Sequence, residues 1–169
     1  HRNNSYKDQE LLYNKALFNE RFQKFRCVHW CDLDGNITEI KEFLRNEREI
    51  IVKPKRGECG HGVFTINTAD IPHNKIEAWI KEHSNMVCED IIGNHPDISR
   101  LNRTSLNTIR IITYLSSDMK CHIIWSGVRI GKDGSCVDNI SEGGSCCSVD
   151  IDSGKITSLP LNEHGEVMK

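Results

Sequence analysis

No stretch of this chain approaches the roughly 18 consecutive apolar residues that a membrane-crossing helix requires. Neither sign of charge dominates: 22 Lys and Arg stand against 24 Asp and Glu, a net charge of −2. Nothing in that balance points to a nucleic-acid or acidic-membrane partner. The polar first ten residues, HRNNSYKDQE, show no signal-peptide pattern. There is no internal repeat and no low-complexity tract. No Gly-Lys-Ser/Thr opens a helix, and no GxGxxG turn follows a strand, so the two commonest phosphate-binding signatures are missing. Cys27-x-His29-x-Cys31 has metal-ligand residue types but no second ligand pair at finger or ribbon spacing. What remains is a globular balance, 37% hydrophobic and 27% charged over 169 residues. That length suits one domain or two small subdomains sharing a core.

Cysteine, by contrast, is plentiful, with eight in the chain. Cys88 and Cys121 fall inside strand-like runs, where a free thiol acts as a small buried hydrophobe. Reduced thiols and a cytoplasmic location are expected.

The apolar spacing predicts a helix over 6–25 on Leu11, Leu12, Ala16, Leu17 and Phe22. A turn at DLDGN (32–36) precedes a second helix, with Ile37, Ile40, Phe43 and Leu44 on one face. Strands are expected at 50–53, 62–66 and 86–88, with a third helix after Pro72 carrying Ile76, Trp79 and Ile80. The second half reads as mostly antiparallel strands: 108–115, 121–129 with a hairpin turn at 132–134, and a hairpin pairing 149–151 with 155–156. This order is α+β, not the strict alternation of a doubly wound parallel sheet.

One segment carries chemistry in its pattern. IIVKPKRGECGHGVFTI (50–66) runs from a strand through Lys53-Pro54 into Gly57-Glu58-Cys59-Gly60-His61-Gly62 and back into a strand. A lysine at the end of a buried strand calls for an anionic partner. The loop's backbone N–H groups can form an anion nest. Alone, the loop is a hairpin first and a phosphate cradle second. Downstream, Glu89-Asp90-Ile91 ends a strand, and Arg110 and Arg129 lie in strands. Asp138-Asn139 precedes Gly143-Gly144. Each has an ordinary reading as a solvated acid, a surface ion pair or a turn.

Taken in order, Lys53-Pro54, the glycine loop, Glu89, Asn107-Thr108-Ile109-Arg110, Arg129 and VDNISEGG (137–144) resemble the ATP-grasp superfamily. The sugar-transfer-associated ATP-grasp proteins of bacterial polysaccharide biosynthesis are the nearest fit. NKALFNERF (14–22) is similar to the helix preceding the nucleotide domain there, and EDIIGNHPDISRLNRTSLNTIRIITY (89–114) is the most specific piece. The resemblance spans about residues 13–158. It implies an α+β fold in which two subdomains with largely antiparallel sheets clasp ATP. A lead-in segment would occupy 1–30, a small subdomain with a glycine-rich lid 31–92, and part of a larger subdomain 93–169.

The resemblance also implies roles. Lys53 would meet the α and β phosphates, and Gly57, Gly60, His61 and Gly62 would close over them. Glu89 and the backbone of Asp90 and Ile91 would meet the adenine edge, and Asn139 would lie near the γ phosphate. Arg110 and Arg129 would face the triphosphate or the substrate carboxylate as catalytic residues. The implied activity is acyl-phosphate formation from a carboxylate and ATP, then transfer to an amine or similar nucleophile, saccharide-linked substrates included. A non-catalytic ATP-grasp-like module and an unrelated α+β domain are the alternatives. Two departures stand out. The loop's second basic residue is His61, which weakens its phosphate contact and makes it pH dependent. The family's Mg2+ ligands, ending in Glu-x-Asn, have no counterpart before Lys169. The expectation is therefore a chain truncated at its C-terminus that binds nucleotide weakly and does no chemistry alone.

Overall fold

The computed structural model describes residues 5–168. The chain forms two compact units, residues 1–92 and 93–169.

In the first unit the expected helix over 6–25 is broken into α1 (Tyr6–Tyr13) and α2 (Lys15–Arg21). Asn14 is the reason. Its backbone leaves the helical region at φ −91°, ψ 110°, and its side-chain oxygen accepts from the N–H groups of Ala16 and Leu17. An Asn that caps the next helix outcompetes continuation of the first. A 3-10 turn at Gln23–Phe25 leads into β1 (Trp30–Asp32). Then follow α3 (Ile37–Asn46), β2 (Glu49–Pro54), β3 (Phe64–Asn67), α4 (Ile76–Glu82) and β4 (Met86–Asp90). The strands form one antiparallel sheet in the order β1-β4-β2-β3.

Strand alternation gives this sheet two unlike faces. Ile50, Val52 and Cys88 lie on one face with Cys31, Phe64, Ile66 and Met86, and this face meets Leu33, Ile40, Leu44, Ile71 and Ile80 in the core. Ile51, Lys53, Val87, Glu89 and Trp30 occupy the other. Glu89 and Asp90, adjacent in sequence, therefore point to opposite faces.

The second unit holds a short α5 (Pro96–Ser99) and an antiparallel sheet of β5 (Thr108–Leu115), β6 (Cys121–Ile130) and β7 (Ser145–Ser148). A web of amides braces the segment before β5. Asn94 Nδ2 donates to the Ser105 carbonyl (2.7 Å), Asn107 Nδ2 to the Asn102 carbonyl (2.8 Å), and Asn102 Nδ2 to the Gly131 carbonyl (2.6 Å). One of two expected hairpins differs. Lys132–Gly134 does turn, Ser135 N–H bonding the Lys132 carbonyl, but a 14-residue connection (131–144) separates the paired strands β6 and β7. Asn102 and Asn107 hold that connection at Gly131, Thr104 at Gly134, and Arg129 with Thr108 at Asp138. Residues 149–156 turn back as expected, Val149 bridging Ile156 antiparallel and Asp150 N–H bonding the Lys155 carbonyl at 2.8 Å, while the Asp150 side chain accepts from Ser153.

Candidate functional site

Lys53 has the anionic partner its position called for. Its ammonium donates to Glu89 Oε2 at 2.6 Å across the sheet's polar face. The other carboxylate oxygen, Oε1, receives Arg26 at 2.9 Å and Asn19 Nδ2 at 3.1 Å. Burial works to raise the Glu89 carboxyl, but Lys53, Asn19 and Arg26 outweigh it and hold the group below the usual carboxylate range. A fourth group stands close by. Lys15 Nζ donates to the carbonyls of Pro54 and Gly57, both at 3.0 Å, and so ties α2 to the base of the glycine loop. Burial, then the Lys53 charge, push the Lys15 ammonium below its ordinary value.

The cluster is thus Lys15, Arg26 and Lys53 around one carboxylate, with charge to spare for a second anion. Two buried atoms also lack a hydrogen-bond partner, Arg26 Nε and Asn19 Oδ1. An Nε–H without an acceptor, in a cationic setting beside a strand lysine, fits a phosphate oxygen. The loop beyond Lys53 fits as well. Gly57, Cys59, Gly60 and Gly62 all take positive φ (145°, 58°, 76° and 70°). The N–H groups of Gly57 through Gly60 and of Gly62 enter no backbone hydrogen bond among the described residues. Those N–H groups can turn toward an anion.

Asp90 and Ile91 part company. Asp90 N–H bonds the His29 carbonyl at 3.1 Å, whereas Ile91 stands just past the strand and is exposed. Lys15, Asn19 and Arg26 escaped the sequence reading as site residues. A Lys and an Asn four apart on an otherwise amphipathic helix were the available signal, since that spacing places both on one face.

In the second unit, Arg110, Arg129 and Cys146 share one sheet face, with Arg129 opposite both Thr108 and Cys146. Arg129 is buried. It donates to Asp138 Oδ1 at 2.7 Å and to the Asn139 side-chain oxygen, while Asp138 also accepts from Thr108 Oγ1. Arg110 is exposed. The loop carrying Asp138 and Asn139 is held tight by Gly144. A Cβ there would lie 2.7 Å from the Asn139 carbonyl oxygen and 2.8 Å from that of Ile130.

Among the described residues, one set of three His, Cys, Asp or Glu ligand atoms gathers within ion-binding distance: His29, Glu47 and Asp90. It contains an imidazole and does not match the all-oxygen set that suits Mg2+. All eight cysteines are free thiols.

The family described as sugar-transfer associated ATP-grasp matches residues 1–169. No curated protein matches the chain. Among solved structures, similarity is found to D-alanyl-alanine synthetase A from Vibrio cholerae O1 biovar eltor, at 14% identity and a TM-score of 0.43 over 73% of this chain and 35% of that one. It is also found to D-alanine–D-alanine ligase from Bacillus anthracis, at 9% identity and a TM-score of 0.31 over 89% of this chain and 55% of that one. The chain thus spans about a third and about half the length of these two enzymes.

Proposed function

Since the chain belongs to the sugar-transfer associated ATP-grasp family, we propose that it is the nucleotide-binding part of an ATP-dependent ligase acting in cell-surface polysaccharide biosynthesis. The observation that carries this reading is the cation cluster, three basic side chains around the Glu89 carboxylate at the foot of a glycine loop. Lys53, Lys15 and Arg26 neutralise the phosphates. The loop from Gly57 to Gly62, His61 included, covers them. The backbone at Ile91, an exposed residue just beyond Glu89 and Asp90, meets the adenine edge. Arg110 and Arg129 are assigned to the triphosphate or the substrate carboxylate, and Asn139 to the γ phosphate.

The reaction is acyl-phosphate formation. A carboxylate oxygen attacks the γ phosphorus, the bond to the ADP oxygen breaks, and ADP leaves. An amine or similar nucleophile then attacks the acyl carbon and expels phosphate. Catalysis of this kind rests on positioning and on charge neutralisation, which is what fixed Lys and Arg groups supply. Mg2+ would supply neutralisation of phosphate charge in such a reaction. The His29 set does not suit it, and no step here is drawn through the ion.

Direct titration tests the assignment. Wild-type chain should bind ATP, and Lys53→Met should weaken that binding by at least about tenfold, a loss of some 1.4 kcal/mol. Equal affinity of the two proteins would remove Lys53 from the site.

A further inference from the structure

On the core face of the first sheet, at the rim opposite the cation cluster, three metal-binding side chains come together from three elements. His29 immediately precedes β1, Glu47 is the C-cap of α3, and Asp90 ends β4. We propose that His29, Glu47 and Asp90 form a binding site for a first-row divalent cation of the zinc, cobalt or manganese class, separate from the nucleotide reading.

The distances point to an ion rather than to hydrogen bonding. His29 Nδ1 lies 3.4 Å from Glu47 Oε1 and 3.6 Å from Asp90 Oδ2. Good N–H···O bonds run to about 3.2 Å. Two ligands about 2.1 Å from one metal are roughly 3 to 3.5 Å apart; His29–Glu47 falls in that range, His29–Asp90 lies just beyond it, and all three ligand atoms are within 4.8 Å of one another.

Charge argues the same way. Two carboxylates converge with no lysine or arginine paired to either among the described residues. Glu47 also sits at the C-terminus of the ten-residue helix α3, where the helix dipole is negative and a cation is the favoured neighbour. Asp90 Oδ1 is buried without a hydrogen-bond partner.

The ligands are also held in place by their backbones. Asp90 N–H bonds the His29 carbonyl at 3.1 Å. Glu47 N–H bonds Phe43, and its carbonyl accepts from Thr68 Oγ1 at 2.7 Å. The residues are thus gathered before any ion arrives, which lowers the cost of binding one. One imidazole with two carboxylates suits borderline first-row ions better than Mg2+ or Ca2+. His29 is 81% exposed at its side chain, so further coordination positions face solvent.

Co2+ provides the test, because its spectrum separates nitrogen and oxygen ligands from thiolate. Equilibrium dialysis of the wild-type chain with Co2+ should give one bound ion with weak visible bands and no intense near-ultraviolet thiolate band. His29→Ala and Glu47→Gln should each weaken binding at least about tenfold, since even the outer partners of metal ligands are worth that much. Both side chains stand clear of the hydrophobic core, so both variants should fold; circular dichroism checks this. Cys27→Ser should leave binding unchanged. The proposal is overturned if no Co2+ binds, if His29→Ala and Glu47→Gln bind as wild type, or if the bound ion shows a thiolate band that Cys27→Ser removes.

Discussion

Replacing Glu89 with Gln keeps the shape of the side chain and removes the charge that Lys53 and Arg26 share. The Gln can still accept from Asn19, so the loss falls on the two cations. Removing one partner of a buried ion pair costs about 3–5 kcal/mol, because the other charge is left without compensation. Here two charges are stranded, but the Lys53 and Arg26 side chains keep 25% and 19% exposure, and water relieves part of the penalty. About 3 kcal/mol is the reasoned value. For a unit of this size 1 kcal/mol moves the midpoint by about 4–8 °C, so the melting temperature should fall by about 12–24 °C. Urea unfolding followed by tryptophan fluorescence gives the free energy directly, since Trp30 and Trp79 both lie in the first unit. Adding Lys53→Met to Glu89→Gln should cost at least about 1 kcal/mol less than Lys53→Met alone, the mark of coupled residues. Tripolyphosphate should stabilise Glu89→Gln more than wild type, because Lys53 and Arg26 are then left without their anion. A loss below about 1 kcal/mol, or strict additivity of the two substitutions, would refute the placement of Glu89 as the hub of the cluster.

Two further outcomes follow from the same geometry. Phosphate affinity should fall with rising pH earlier than for an ordinary lysine site. The protonated Lys15 attracts the anion, its pKa is already depressed, and the loss begins as pH climbs through that lowered value toward the unshifted 10.5. Lys15→Arg, always charged, should flatten the decline, and superimposable pH profiles would count against Lys15. Gly144→Ala should cost about 1–3 kcal/mol through backbone overlap with Asn139 and Ile130. Gly93→Ala, whose Cβ would meet nothing within 4 Å, should be near neutral in the same urea titration.

The α+β class and most strand positions were legible because β2 and β4 are short apolar runs bounded by charged and turn residues, the mark of strands buried in a core. The break at Asn14 was hidden because apolar residues continue on both sides of it, and only the capping competence of Asn marks the change. The lysine at the end of β2 announced an anion but not which one. Glu89 lies 36 residues away, and sequence separation says nothing of cross-strand distance. Lys15, Asn19 and Arg26 were opaque for the same reason. The His29 set was harder still, because the eye follows Cys27-x-His29-x-Cys31 along the chain while the other two ligands come from α3 and β4.

The turn at DLDGN has a consequence for how β4 finds its alignment. Met86, Val87 and Cys88 are all apolar, and Glu89 and Asp90 are both acids. A one-residue slip would swap the faces of all five, yet leave apolar groups facing the core and a carboxylate facing Lys53. The strand's own side chains barely distinguish the right alignment from the wrong one. The index is external. Asn85, at φ +62°, donates its N–H to both carboxylate oxygens of Asp34 (3.1 and 3.0 Å), and its carbonyl accepts from Lys55 N–H at 2.8 Å. Asp34 is itself fixed by the Lys55 ammonium at 2.7 Å. Asp34 and Asn85 therefore act as the stop against which the strand is set. Which acid meets the cations and which meets His29 is decided at Asn85, upstream of both sites.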